Sequence, residues 1–283
     1  MTEAELARLR HLFEGEDRIA FAILFGSAAS GRETTESDVD IGAYFRPRRE
    51  DPREIDIEEE DAEFESEYEL WRACEEALGV NVDFVVLNRA PATIAAAAVL
   101  TGRLLAVNDG RLYRRFVNEV TTLAEDFRDL VEDYRRIRAR SASLSPVDRD
   151  RLNRILEYLR TELDDAALYE ELDPTRYRSD GHYRRAAERW VENLVNASID
   201  IAKIIVASEH GTMPQTYRGV TEALSAVSPF EALAADLAAN TRVRNALAHE
   251  YLDLRYRQVS RVAGQARDLY GRLIEATDEW LAR

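Results

Sequence analysis

Two aspartates, Asp38 and Asp40, are the side chains best placed for chemistry in the first part of the chain, because they follow Gly26-Ser27 by ten residues and open an apolar stretch. On a strand they would face the same side, with Cα atoms roughly 6–7 Å apart. Two such carboxylates repel unless a cation binds them, and Mg²⁺ (or Mn²⁺) prefers carboxylate oxygens together with substrate phosphates. Gly26 permits close backbone approach, and Ser27 offers a hydroxyl and an N–H to an anion at a helix start. The pattern predicts nucleotidyl transfer from a metal-bound nucleoside triphosphate.

A third acid, Asp83, lies within residues 80–87, an apolar and β-branched stretch that predicts another strand. A carboxylate in such a stretch is costly unless it is paired or bound to a metal. Asp83 is therefore the candidate third carboxylate of the metal site. An ion pair with a nearby arginine is the alternative.

Arg244 and His249 form a second candidate site in the other half of the chain, where histidines are few. A histidine can exchange protons with the 2′-hydroxyl or leaving oxygen of RNA near neutral pH, and an arginine can stabilise the phosphate charge, so no metal is needed. Residues five apart on a helix are rotated by about 140°. Either the helix ends near Ala248, or a second protomer completes the site. The alternative is a helix-terminal histidine beside a structural arginine.

Composition limits the partners of the chain, which has 283 residues, 46% of them apolar, and a formal net charge of −16. Residues 1–140 hold 19 basic and 31 acidic residues, so the remainder is much closer to neutral. RNA would therefore need a local basic patch, which we expect in the second half. The single cysteine excludes an internal disulfide. No apolar run approaches membrane-spanning length and no signal-peptide pattern is present, so we expect a cytoplasmic protein without membrane contact.

Apolar periodicity predicts a chain of two parts, with strands only in the first. The predicted strands are 19–25, 39–45, 80–87 and 103–107, and the helices around them are 3–13, 68–78, 92–100 and 112–138. The loop 141–146 marks the expected domain boundary. Five helices are predicted beyond it, at 147–171, 181–209, 217–226, 229–248 and 256–281, which indicates an all-α bundle.

The two motifs together resemble a known pair of families. Gly26-Ser27, ten residues and Asp38-x-Asp40 are similar to the minimal nucleotidyltransferase motif of MntA-type antitoxins, and Asp83 falls at that family's third carboxylate. The motif from Arg244 through His249 to Tyr251 resembles the signature of HEPN ribonucleases of the HepT toxin type, and residues 189–202 resemble the preceding HepT helix. The resemblance implies an α+β fold class: a nucleotidyltransferase fold with a small mixed sheet at 1–140, then a HEPN bundle at 145–283.

This resemblance to type VII toxin–antitoxin proteins also implies a function. The transferase would move AMP from ATP to Tyr251 and silence the ribonuclease, whose cleft is usually shared by two copies, so a homodimer is expected. Asp38, Asp40 and Asp83 would bind the metal. Gly26, Ser27, Arg32 and Ser37 would bind the nucleotide, Arg32 serving because Ser30 stands where the family often has arginine.

Two other functions remain open on sequence alone. A small-molecule nucleotidyltransferase of the antibiotic-modifying type would also carry a helical domain, but it would not need the Arg244–Tyr251 motif. A degenerate pair acting only as a nucleotide-sensing binding module would not need all its catalytic residues. RNA is the expected nucleic-acid partner, and no DNA binding is expected.

Overall fold

The computed structural model describes residues 1–30, 38–47, 55–59, 62–249 and 252–283. The chain divides into two compact units, Met1–Phe127 and Arg128–Arg283. The limit between these units falls inside one long helix, Gly110–Arg140. The expected domain boundary at the loop 141–146 stays a prediction. The fold class is α+β, as the sequence predicts, with the strands in the first unit and a helical bundle in the second.

The first unit is built around a four-stranded mixed sheet of order β3-β2-β1-β4. Strand β1 pairs antiparallel with both β2 and β4, whereas β2 and β3 run parallel. Its elements are α1 (Glu3–Phe13), β1 (Ile19–Phe25), α2 (Gly26–Ser30), β2 (Val39–Phe45), α3 (Glu67–Leu78), β3 (Val82–Val86), α4 (Ala92–Thr101), β4 (Arg103–Val107) and the first part of α5 (Gly110–Arg140).

The core of this unit lies on both faces of β1, whose first six residues are all buried. Leu6, Leu9 and Phe13 cover one face from α1, which begins with a capping box at Thr2. On the other face Phe21 stacks on Tyr44 with ring centroids 5.0 Å apart. Because both faces are covered, the ends of β1 and β2 are held firmly where the candidate site begins.

The side chain of Asn108 fixes one of the connections between strands. The side-chain amide of Asn108 donates to the carbonyl oxygens of Phe13 and Ile19, and this ties the end of β4 to the start of β1.

Cys74 on α3 is buried, and burial raises the pKa of its thiol to about 12. The lone thiol is therefore a packing residue.

The second unit is a bundle around a central helix, α9, of which nearly every residue from Leu194 to Ser208 is buried. Helices α6, α10, α11 and α12 all pack against it. The elements are the end of α5, α6 (Pro146–Asp164), α7 (Ala166–Tyr169), α8 (Pro174–Ser179), α9 (Gly181–Ser208), α10 (Tyr217–Glu222), a 3-10 helix (Ala223–Ala226), α11 (Ala234–His249) and α12 (Leu252–Leu281).

A charged network joins three helices of this bundle. The only lysine of the chain, Lys203, is almost fully buried, with Nζ 2.8 Å from Asp133 Oδ2 and 2.6 Å from Asp200 Oδ1. Arg151 also donates to Asp133, at 2.8 Å. Burial alone would raise the pKa of Asp133, but the hydrogen bonds from Arg151 and Lys203 outweigh it and lower the pKa to about 2. Asp133 is therefore ionised whenever the bundle is folded near neutral pH.

Within the described part of the chain, no helix combines the length and apolarity that a membrane crossing requires.

Candidate functional sites in the two units

Strand pairing brings two of the three predicted carboxylates side by side. Strands β2 and β3 are parallel neighbours, and Asp40 is the direct partner of Asp83 in their register. Asp38 lies immediately before β2, two residues from Asp40. Asp38 and Asp83 are exposed and Asp40 is partly buried. Residues far apart in sequence therefore meet at the end of the sheet where β1 runs into α2.

Gly26 is required where it stands, because its backbone crosses directly over Asp40. Phe25 pairs with Asp40 across β1 and β2, and Gly26 follows with a φ of +68°. A Cβ at this position would lie 2.0 Å from Asp40 Oδ2 and 2.8 Å from Asp40 Cγ. Only glycine combines this left-handed backbone with such close approach to a carboxylate. Ser27 is the next residue of α2, so two of the four predicted nucleotide-binding residues lie at the end of the sheet that carries the acids.

The charge environment of Asp40 fits a cation. Partial burial raises the pKa of Asp40 above its ordinary value, and the nearby charges of Asp83 and Asp38 raise it further. A divalent cation would relieve this repulsion, and carboxylate oxygens are the ligands that Mg²⁺ and Mn²⁺ accept. The ligand type and the charge of these residues therefore suit the predicted metal.

The three aspartates are neighbours without converging on one point. Among the described residues there is no group of three or more histidine, cysteine, aspartate or glutamate side chains placed to hold a metal ion. Asp83 is exposed on β3, so the burial cost expected from its apolar surroundings in sequence is not incurred. Asp83 also forms no ion pair with any described arginine, which is the alternative that the sequence leaves open. Arg32 and Ser37 lie outside the described residues.

Arg244 is held in a fixed place on α11. Its Nη1 donates to Asn196 Oδ1 on α9, and its guanidinium carbon lies 4.1 Å from the ring centroid of Tyr217 on α10. The side chain is half-buried. A planar cation clamped by an amide oxygen and an aromatic face loses little entropy when it binds a phosphate. Asn196 and Tyr217 are supporting residues to which the sequence motif assigns no role.

A buried polar contact fixes α11 against α12. Gln265 Nε2 on α12 donates to Asn240 Oδ1 at 2.6 Å, and Asn240 Nδ2 donates to the Tyr270 hydroxyl at 3.4 Å. Asn240 and Tyr270 are fully buried. These bonds set the rotation of α11 about its axis, and therefore which of its faces carries the motif.

His249 is the last residue of α11, and α12 begins at Leu252. Residues 250 and 251 lie outside the described residues, so both alternatives for Arg244 and His249 stay predictions. The two residues are still separated by about 140° around the helix axis. Tyr251 lies outside the described residues.

Comparison with known families agrees with this division of the chain. Residues 7–111 match the family described as polymerase beta, nucleotidyltransferase. Residues 149–276 match the family described as ribonuclease HepT-like. The chain is a nucleotidyltransferase domain fused to a HepT-like ribonuclease domain. No curated protein and no solved structure matches the chain significantly.

The two matches enclose both predicted motifs. The nucleotidyltransferase match contains Gly26, Asp40 and Asp83, and the HepT-like match contains Arg244 and Asn196. The resemblance drawn from the motifs is confirmed at the level of these two families. A nucleotidyltransferase domain generally uses a divalent metal with ATP, and a ribonuclease domain acts on RNA. Their pairing in one chain supports a fusion of the toxin–antitoxin type.

Proposed function

We propose that the chain is a single-chain toxin–antitoxin in which the nucleotidyltransferase domain transfers AMP from ATP to Tyr251 of its own ribonuclease domain. The observation that carries the proposal is the placement of Gly26 against Asp40, with Asp83 as the register partner of Asp40. This arrangement occurs in the same chain as a HepT-like domain with a tyrosine two residues after His249. The protein acts in the cytoplasm, where ATP and RNA are available.

In the transfer step, the Tyr251 hydroxyl oxygen attacks the α-phosphorus of ATP. A bond forms between that oxygen and phosphorus, the bond from the α-phosphorus to the bridging oxygen breaks, and pyrophosphate leaves. Asp83 accepts the hydroxyl proton. Asp38 and Asp40 would hold Mg²⁺ (or Mn²⁺) on the ATP phosphates, Asp83 would complete a second metal site, and the ions would neutralise charge on the phosphates. Gly26, Ser27, Arg32 and Ser37 bind the triphosphate.

In the ribonuclease step, the 2′-oxygen of RNA attacks the adjacent phosphorus and the bond to the 5′-oxygen breaks. His249 exchanges protons with these oxygens near neutral pH. Arg244 stabilises the charge that develops on the phosphate, and its contacts with Asn196 and Tyr217 hold the guanidinium ready for that charge. Because Arg244 and His249 face about 140° apart, a second copy completes the cleft in a homodimer.

Silencing follows from electrostatics and bulk. AMP on Tyr251 places a negatively charged phosphodiester two residues from His249, where a phosphate of the substrate must bind. Like charges repel at this range, and the nucleotide also fills space. The ribonuclease is therefore active only in chains that carry no AMP.

Intact mass measurement tests the transferase. The purified chain incubated with ATP and Mg²⁺ gains AMP-sized increments, and the Asp38→Ala/Asp40→Ala variant gains none. Tyr251→Phe identifies the acceptor, because it keeps the transferase residues and removes only the target hydroxyl. Wild-type protein without increments, before or after incubation, contradicts the transferase assignment. Increments that persist in Tyr251→Phe contradict the acceptor assignment.

The ribonuclease has its own test. The Asp38→Ala/Asp40→Ala variant carries no AMP, so its expression slows growth and it cleaves RNA in vitro. Adding His249→Ala to that variant removes both effects. If the Asp38→Ala/Asp40→Ala variant with intact His249 neither slows growth nor cleaves RNA, the toxin assignment is wrong.

A further inference from the structure

A cavity of about 470 Å³ lies in the second unit, where α9 and α12 both end, and this volume is within the range of small-molecule sites. Its polar and aromatic lining side chains are Arg149, Ser208, Glu209, His210, Trp280 and Arg283. Helix α12 begins just after the ribonuclease motif and has 30 residues, so its two ends are roughly 45 Å apart. The cavity is therefore separate from the ribonuclease motif.

The turn that follows α9 forms one wall of this cavity and is held from two sides. His210 has a left-handed backbone, with a φ of +58°, and its Nε2 donates to the carbonyl oxygen of Ala142. The carbonyl oxygen of Gly211 accepts hydrogen bonds from the Tyr134 hydroxyl at 2.6 Å and from Arg138 Nη1 at 2.8 Å. A non-glycine residue keeps a left-handed conformation only where its surroundings impose it. This wall is therefore formed before any ligand binds, which lowers the entropic cost of binding.

The charged side chains that line the cavity balance each other, but two of them are unpaired. Arg283 forms an ion pair with Glu279 at 3.3 Å. Arg149 donates to a backbone carbonyl oxygen of α12 at 2.8 Å, and Glu209 accepts from Trp280 Nε1 at 2.9 Å, so both have only neutral partners. Among the described residues, neither Arg149 nor Glu209 has an ion-pair partner. One positive and one negative group therefore line the same cavity without neutralising each other.

Ser208, the last residue of α9, brings a third polar group to the cavity. The residue is 8% exposed, and its hydroxyl oxygen is buried without a hydrogen-bond partner in the described part of the chain. A buried hydroxyl without a partner is costly, and such groups are few in folded proteins. Rotation about its single side-chain torsion can turn this hydroxyl toward a ligand, since Ser208 itself lines the cavity.

We propose that the cavity binds a small zwitterion of the α-amino-acid type, whose carboxylate accepts from Arg149 and whose ammonium group donates to Glu209. Charge-assisted hydrogen bonds of this kind are the strong ones. A simple anion would meet the carboxylate of Glu209, and a simple cation would meet the guanidinium of Arg149. Only a ligand with both charges satisfies both groups. The proposal does not depend on the transferase or the ribonuclease function.

Thermal unfolding of the full chain with each standard L-amino acid in turn identifies the ligand, because a compound that binds the folded state raises the unfolding temperature. Calorimetry then gives its dissociation constant, together with those of its N-acetyl derivative, which lacks the ammonium group, and its α-amide, which lacks the carboxylate. We expect both derivatives to bind at least about tenfold more weakly, since each loses one charged contact. The proposal is overturned if no amino acid binds, or if either derivative binds as tightly as the parent compound.

Variants locate the site. Arg149→Gln and Glu209→Gln each raise the dissociation constant at least about tenfold. Arg154→Gln and Glu157→Gln are the matched controls, because these exposed residues of α6 carry the same charges and do not line the cavity. The controls leave the dissociation constant unchanged. Equal effects in the variants and the controls would mean that the amino acid binds elsewhere, and would overturn the site.

Ser208→Ala separates a ligand-binding hydroxyl from a structural one. The unliganded variant should unfold at the same temperature as the wild type or higher, because the hydroxyl that it loses has no partner. Its affinity for the amino acid should fall about fivefold, the effect of one neutral hydrogen bond. An unchanged affinity, or a lower unfolding temperature without ligand, overturns the role of Ser208.

Discussion

Replacing Gly26 by alanine separates the geometry of the transferase site from the stability of the domain. The new Cβ would lie 2.0 Å from Asp40 Oδ2, well inside contact distance. The carboxylate is the end of a side chain, so it rotates away while β1 and β2 keep their pairing. Asp40 is then displaced from its place beside Asp83. We expect AMP transfer to fall by about 100-fold, the loss typical of a displacement of about 1 Å.

The stability cost of Gly26→Ala has a matched control in the same domain. A non-glycine residue with positive φ costs about 1–2 kcal/mol. Gly79 ends α3 with a φ of +72°, close to the +68° of Gly26, but an added Cβ there has nothing within 4 Å. Gly79→Ala therefore carries the backbone cost without the contact to Asp40. Both variants should lower the free energy of unfolding by a similar amount.

The assay is a time course of AMP incorporation by intact mass, with thermal unfolding measured on the same samples. Gly79→Ala should transfer AMP at nearly the wild-type rate, and Gly26→Ala should not. Equal transfer rates in the two variants would refute the reasoning, because the contact with Asp40 would then have no bearing on catalysis. A larger loss of stability in Gly26→Ala, by several kcal/mol, would show that the strands move instead of the carboxylate.

Three further predictions concern pH, metal and the ribonuclease. The pKa of Asp133 in the folded protein, about 2, lies below its ordinary 3.8. Its ionised form therefore contributes about 2 kcal/mol to the free energy of unfolding above pH 3.8, and this contribution is lost as pH falls through 2. Asp133→Asn removes this acid dependence in denaturation curves. The raised pKa of Asp40 makes its ionised form destabilising, so stability is lost as pH rises through that pKa. Without divalent cations, Asp40→Asn is therefore more stable than the wild type at neutral pH, and this difference is absent in acid. Mg²⁺ with ATP at 100 times Kd stabilises only the wild type, by about 2.7 kcal/mol. Asn196→Ala removes an acceptor of Arg244 and lowers cleavage by AMP-free protein at least about tenfold, whereas Asn193→Ala, one turn earlier and bonded to Glu162, does not.

The strands of the first unit were predictable because their sequence signals are local. The stretches 19–25, 39–45 and 103–107 form strands with the predicted bounds, and the third strand is shorter than predicted, Val82–Val86. Each predicted stretch is a short, largely apolar run bounded by glycine, asparagine or charged residues, and such runs suit a sheet covered on both faces. The role of Gly26 in the motif could also be predicted from the sequence. Its contact with Asp40 could not be predicted, because that contact depends on the antiparallel register of two strands.

The helices of the second unit were less predictable at their ends. One helix was expected at 147–171, but α6 ends at Asp164 and two short helices, α7 and α8, follow. Asp173 caps α8 through hydrogen bonds to the N–H groups of Thr175 and Arg176, with Pro174 at the first helical position. These start signals lie beyond the end of the predicted helix at residue 171, and the six-residue helix that they begin is too short to show an apolar period.

The partners of Arg244 could not be predicted from the sequence. Asn196 precedes it by 48 residues and Tyr217 by 27, and each lies on a different helix of the bundle. An asparagine on a largely buried helix and a tyrosine at a helix start have many ordinary uses. Only the packing of α9, α10 and α11 selects them as the residues that hold one guanidinium.

The position of the proposed acceptor suggests how one modification can control the ribonuclease. Tyr251 follows His249 by two residues. The phosphodiester of AMP on Tyr251 would have the same charge and shape as the RNA phosphate that Arg244 would hold. Fusion keeps it at an effective concentration on the order of millimolar, so it competes with RNA without needing to disable His249. Arg244→Gln should therefore narrow the difference in RNA affinity between AMP-modified and unmodified chains, and AMP incorporation itself should be unchanged.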